Sequence, residues 1–383
     1  MKSVEKLDFL NGLKTLSCIL VFNLHFINIF YCGIYSLNPM DFRTSSAEWV
    51  IGATPLNLLV NGKVGARMFM LLAGFFAAYR FVITGDRKSL TEGVFKKYFR
   101  LVFPILTANL LVLFMLYLGL FHNNDAAKVI GSQVFSGNYY QFAPSFLSAV
   151  KESLWSVFTS TSPMSYNAPT WFIFYEFWGT ILVAAILSLA GSSKARYAVY
   201  LVAAVLLVRT DFLTFICGLV VCDLTYREPV FLKHISGSRL LMAFCLLVGV
   251  FLCTFPPIGN HLEGTIYQMF PQKTMLYYAA GSAMILYALL HLKGLQKVLE
   301  WKPFTAFSKY SYCFYLLHFP ILCTFACGVF LALNDVVQYP LLVIGIYILS
   351  FVLTLLAAYV LHTFVERPGL KLADRISKKI TVS

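Results

Sequence analysis

Residues Leu10–Tyr31 read LNGLKTLSCILVFNLHFINIFY, an apolar run long enough to cross a bilayer that still carries Lys14 and His25. Eleven positions separate the two, about three turns of helix, so both side chains fall on nearly one face, ~16 Å apart in depth. Ionisable groups at membrane depth are costly and usually face a cavity or a protein partner, which marks both as candidate functional residues.

Runs of this kind recur along the 383-residue chain, which is 59% hydrophobic and only 12% charged. Ten stretches stand out: roughly 10–31, 64–84, 100–121, 170–190, 195–209, 211–226, 240–257, 274–292, 305–332 and 338–364. They predict an all-α, polytopic transmembrane helical bundle forming one integral-membrane domain over 1–383, with no appended soluble domain. Apolar residues come in continuous blocks rather than in alternation, which argues against a membrane β-barrel. The first run is overlong for a cleaved signal peptide and lacks a small-residue cleavage site. The longest connection is 122–169, and within it Ser145–Thr159 predicts an amphipathic helix lying at the interface.

The formal charge of +13 invites a nucleic-acid reading, but the basic residues gather at the ends of apolar runs, where topology signals belong. With the N-terminus inside, the inner segments hold 21 of the 30 Lys and Arg residues and the outer loops six; Lys14, Arg67 and Arg80 lie within spans. That asymmetry predicts both termini cytoplasmic, in a plasma-membrane protein surrounded by lipid. Nine scattered cysteines lack metal-type spacing and read as small hydrophobes, with Cys32 at an outer edge. No metal is expected and no permanently bound cofactor.

Five patches share one order along the chain. They are Leu7-Asp8-Phe9-Leu10-Asn11-Gly12-Leu13-Lys14 with His25; Gly65-Ala66-Arg67 running to Ala73-Gly74-Phe75; Lys96-Lys97-Tyr98-Phe99-Arg100 with Pro104; Trp171-Phe172-Ile173-Phe174-Tyr175-Glu176-Phe177; and Ser311-Tyr312-Cys313-Phe314-Tyr315-Leu316-Leu317-His318-Phe319-Pro320 with Glu366-Arg367-Pro368. In this order and spacing the chain resembles membrane acyltransferase family 3, integral-membrane O-acyltransferases that modify surface glycans, peptidoglycan, lipids and some small molecules. Three positions depart from the family pattern. Lys14 stands for the usual arginine, Lys97 and Arg100 for paired arginines on an inner loop, and Ala73 for a serine.

The resemblance implies acyl-CoA, acetyl-CoA above all, as co-substrate, and a carbohydrate or lipid-linked glycan as acceptor. Such a transfer needs a group to take the alcohol's proton, and imidazole is matched to that task near neutral pH, so His25 is the expected general base or transient acyl carrier. Glu176 is expected at a similar depth, either orienting the His25 ring or simply buried against Arg67. Lys14, Lys97 and Arg100 form an expected basic rim for the donor's phosphates, although a lysine acts there as a point charge rather than a fork. Trp171, Tyr315 and His318 are candidates for lining the acyl or acceptor cavity, with packing as the alternative for His318. Glu366 and Arg367 read as an interfacial ion pair. Because no hydrolase-like segment follows Pro368, transfer is expected to finish within the membrane domain or on a separate partner. The rival reading is a transporter or flippase, but the paired, broken half-repeats common in transporters are not seen.

Overall fold

The computed structural model describes residues 5–43, 46–132, 138–162, 164–257 and 261–382, and among them every regular element is helical. Ten longer helices carry the architecture: α1 Phe9–Phe30, α2 Gly62–Thr84, α3 Lys88–Tyr117, α4 Trp171–Ala190, α5 Arg196–Leu206, α6 Phe212–Tyr226, α7 Arg239–Cys253, α8 Thr274–His291, α9 Ser311–Leu333 and α10 Tyr339–Leu361. Seven of these stretches, α1–α4 and α8–α10, are long and apolar enough to cross a membrane. Helices α5, α6 and α7 sit where spans were expected but have only 11, 15 and 15 residues. At ~1.5 Å per residue they fall short of a ~30 Å hydrocarbon core. The break between α5 and α6 has a polar cause. Asp211 is buried against Arg67 of α2, with 2.6 Å between Oδ1 and Nη2, so the chain turns there instead of extending either helix.

Helices α2 and α6 cross at backbone distance. A Cβ on Gly74 would stand 2.3 Å from the Phe215 carbonyl oxygen, and one on Gly218 would stand 2.1 Å from that of Leu71. Small residues at such a crossing let helices pack by van der Waals contact where lipid offers no hydrophobic drive. Ala73 beside it lines a cavity, which places the third departure from the family pattern at the wall of the site.

Helices α1 and α9 lie parallel and in register. Cys18 donates to the Ser311 carbonyl at 3.5 Å, Phe22 packs on Phe314 at 5.6 Å between ring centroids, and His25 meets His318 at 5.1 Å. Residue numbers rise together along both helices, so both begin at the same end of the bundle. Pro320 cannot donate to the Leu316 carbonyl four residues back. Asn167 fills the gap with an Nδ2–H bond of 2.8 Å to that oxygen, and Tyr315 ties back to the Pro169 carbonyl at 2.5 Å. The segment before α4 thereby clamps α9 at the level of His318.

The segment expected to lie flat at the interface does form a helix, Phe146–Lys151 continuing through a π turn to Val157–Thr159, but it does not lie flat. It runs antiparallel along α3. Tyr117 Oη reaches the Pro144 carbonyl at 3.4 Å, Asn109 donates to Ser153 Oγ at 3.0 Å, and Tyr98 Oη reaches the Leu154 carbonyl at 3.1 Å. From Tyr117 to Tyr98 is 19 residues, or ~28 Å of α3. The segment therefore dips alongside a spanning helix, its buried polar groups engaging α3 and Phe146, Leu147 and Trp155 facing outward. Glu152 fastens the returning chain by accepting the backbone N–H groups of Ser165 and Tyr166 at 2.8 and 3.0 Å. Amphipathic patterning reads the same for a helix on a membrane and for one packed beside a neighbour, which is why the sequence misplaced it.

Candidate functional site

Five helices, α1, α2, α3, α4 and α9, enclose a cavity of about 480 Å³. Its polar lining includes Lys14, Lys97, Arg100, Glu176, Ser308, Ser311, Tyr312 and Tyr315, and its apolar wall Phe69, Leu72, Phe76 and Phe172. A second, more open cavity of about 830 Å³ shares Lys14, Arg100 and Ser308 with the first and adds both Lys6, Lys302 and Lys309 and the carboxylates of Asp8, Glu300 and Glu366. Both lie toward the end of the bundle at which α1 and α9 start.

The basic residues are placed by helix geometry. Lys97, expected on an inner loop, and Arg100, expected at the inner end of a span, both lie on the N-terminal half of α3, which begins at Lys88, twelve residues before the apolar stretch. Three positions apart, they share a helix face and reach the same cavity. Lys97 is neutralised there, since its Nζ stands 2.5 Å from Glu176 Oε1. Lys14 and Arg100 have no carboxylate partner among the described residues. Lys14 instead sets its Nζ over the Phe76 ring, 4.6 Å from the centroid. The cavity thus carries two cations, half-buried Lys14 and exposed Arg100, that no carboxylate among the described residues pairs.

Glu176 is therefore engaged with Lys97, while Arg67, its alternative partner, is held by Asp211. The ring neighbours of His25 are His318 and Phe319, each 5.1 Å away between centroids. His25 is partly buried and is not among the residues lining the 480 Å³ cavity; it stands beyond Tyr315 and His318. On its other side Phe319 meets Tyr139 at 5.0 Å. Trp171 packs edge-on against Phe172 and Tyr175, adjoining the cavity wall without forming part of it. Tyr315 lines the cavity directly, and His318 is fully buried behind it.

One cluster escaped sequence reasoning. The carboxylate of Glu366, in a π turn after α10, accepts from His362 Nδ1 at 2.7 Å and from Cys313 Sγ at 3.3 Å, in place of the expected pairing with Arg367. Their sulfur, nitrogen and oxygen atoms lie within 4.8 Å of one another and could hold a metal ion. Only the i, i+4 spacing of His362 and Glu366 could have signalled it, because Cys313 arrives from a distant helix.

A family model described as an acyltransferase domain matches residues 7–363, nearly the whole chain. The chain belongs to this acyltransferase family. The match spans all five sequence patches except the last residues of the fifth, and with the apolar helices it makes the protein a multi-pass membrane acyltransferase. No curated protein and no solved structure matches it.

Proposed function

We propose that this membrane acyltransferase takes an acyl group, most simply acetyl, from cytoplasmic acyl-CoA and passes it to a hydroxyl of a glycan or related acceptor reached from the opposite face of the plasma membrane. The observation that carries this reading is the pair of cations, Lys14 and Arg100, that two adjoining cavities share and that no carboxylate among the described residues pairs. A phosphate-bearing donor satisfies both charges, and Lys302 and Lys309 add positive charge in the outer cavity, where Glu300, Glu366 and Asp8, the last paired with Lys6, also lie. The apolar wall of Phe69, Phe76 and Phe172 suits the uncharged arm that carries the thioester inward, past Tyr315.

In this scheme His25 takes the acceptor's proton, or carries the acyl group between donor and acceptor. The ester C–O bond forms as the thioester C–S bond breaks, and the proton leaves on the CoA sulfur. Beyond His25 and the buried Phe319, Tyr139 is an exposed aromatic side chain of the kind on which sugar rings pack. The test is direct. Purified protein in detergent, given acetyl-CoA labelled in the acetyl group and a membrane glycan extract, is expected to release free thiol and move label to glycan. No turnover in detergent, with label crossing only in sealed vesicles, would replace this reading with transport.

A further inference from the structure

His318 is held in one tautomer by its surroundings. Its Nδ1 stands 2.6 Å from the Tyr315 carbonyl oxygen, and a carbonyl can only accept, so Nδ1 carries the hydrogen. The neutral ring then presents a bare lone pair at Nε2. That atom is buried, in a residue only 1% exposed, and has no hydrogen-bond partner among the described residues. A buried acceptor left unsatisfied in apolar surroundings is costly, and here those surroundings include the rings of Phe22 and Tyr315. The other imidazole against it is His25, 5.1 Å away between centroids and tilted by 48°.

We infer that His318 positions His25 by accepting its N–H at Nε2, which fixes the tautomer of His25 and leaves the second His25 nitrogen as the lone pair offered to the reaction. The inference rests on His25 being the reactive imidazole, as proposed above. It gives His318 the orienting duty that sequence reasoning offered to Glu176, whose carboxylate is bound to Lys97. His318 is itself fixed from three directions. Its Nδ1 is bound to Tyr315, the Tyr315 hydroxyl to Pro169, and the carbonyl of Leu316 to Asn167. Catalytic hydrogen bonds are often long in the free protein and commonly tighten only when substrate is bound.

The proton balance is simple. The acceptor hydroxyl gives its proton to the free nitrogen of His25 as C–O forms and C–S breaks, and the same nitrogen delivers it to the departing sulfur. The other N–H stays between His25 and His318 throughout, so His318 takes no net proton. It stabilises the His25 imidazolium as the third group of a triad does.

The test compares His318→Gln with His318→Leu and His318→Phe. Glutamine keeps a carbonyl acceptor at about the reach of Nε2, whereas leucine and phenylalanine keep bulk without an acceptor. The primary readout is independent of acyl transfer: the rate at which diethyl pyrocarbonate modifies His25, followed by peptide mass spectrometry. Loss of the acceptor is expected to slow labelling on the order of tenfold in the leucine and phenylalanine variants, the worth of one buried hydrogen bond, with glutamine close to wild type. In acetyl-CoA turnover the same order is expected in kcat, with KM for the donor unchanged. A purely packing role gives the opposite order, because a dry pocket tolerates leucine better than an amide. Labelling in which leucine or phenylalanine equals or exceeds glutamine overturns the pair. Absence of turnover in wild type, with the labelling order intact, would instead overturn the reaction and leave the pair standing.

Discussion

Replacing Glu176 by glutamine separates two roles for its carboxylate. In the structure Glu176 lies 2.5 Å from Lys97 Nζ, with the two side chains 19% and 14% exposed. Exposed ion pairs contribute ~0–1 kcal/mol, whereas breaking a buried one costs ~3–5 kcal/mol because a charge is left behind without compensation. At these exposures Glu176→Gln is expected to cost about 2–3 kcal/mol. Lys97 then joins Lys14 and Arg100 as a third uncompensated cation, so a polyanionic donor should bind at least as well, and up to about fivefold more tightly. The double variant Lys97→Met/Glu176→Gln removes both charges and should recover much of the lost stability. Equilibrium unfolding in mixed micelles gives the first quantity and acetyl-CoA titration the second. Wild-type stability and donor affinity, with transfer as low as in His25→Gln, would refute the reasoning and return Glu176 to the imidazole.

Lys14→Ala is expected to weaken acyl-CoA binding at least tenfold, since a phosphate loses a charge-assisted bond, while Lys14→Arg retains or improves it; equal affinities across the three would reduce Lys14 to membrane anchoring. Gly74→Val forces a branched side chain onto the Phe215 carbonyl, which a Cβ alone would approach to 2.3 Å, so the melting temperature should drop by the equivalent of about 3 kcal/mol; an unchanged melting curve would mean α2 and α6 do not cross as described. Asp125→Cys, at an exposed position in the long connection, should react with an impermeant thiol reagent in intact cells, and labelling only after permeabilisation would invert the orientation drawn from the charge count.

Local periodicity made the helices legible and left their partners hidden. The apolar stretches around Leu10–Tyr31 and the segments after residues 64, 170, 274 and 338 announced helices close to where they stand. Boundaries failed where polar residues extend a helix: α3 begins at Lys88, twelve residues before the apolar stretch, and that moved Lys97 from a loop onto the same helix as Arg100. Site residues could be nominated by type and depth, but not paired. Lys97 lies 79 positions from Glu176, and His25 is 293 positions from His318, so no local spacing records either meeting. The Pro320–Asn167 arrangement was half visible. The proline announces a freed carbonyl on α9, while the side chain that satisfies it comes from 149 residues away.

The claim that His25 performs or carries the transfer is tested most directly by His25→Gln. The substitution keeps a polar side chain of similar length against His318 and Phe319 but removes the base. Acetyl-CoA turnover by matched amounts of folded wild type and variant is the measurement. General-base assistance is typically worth ~10²–10⁴ in rate, so the variant should retain about a hundredth of the activity or less. Retention of more than about a tenth would contradict the role given to His25, whatever the family to which the chain belongs.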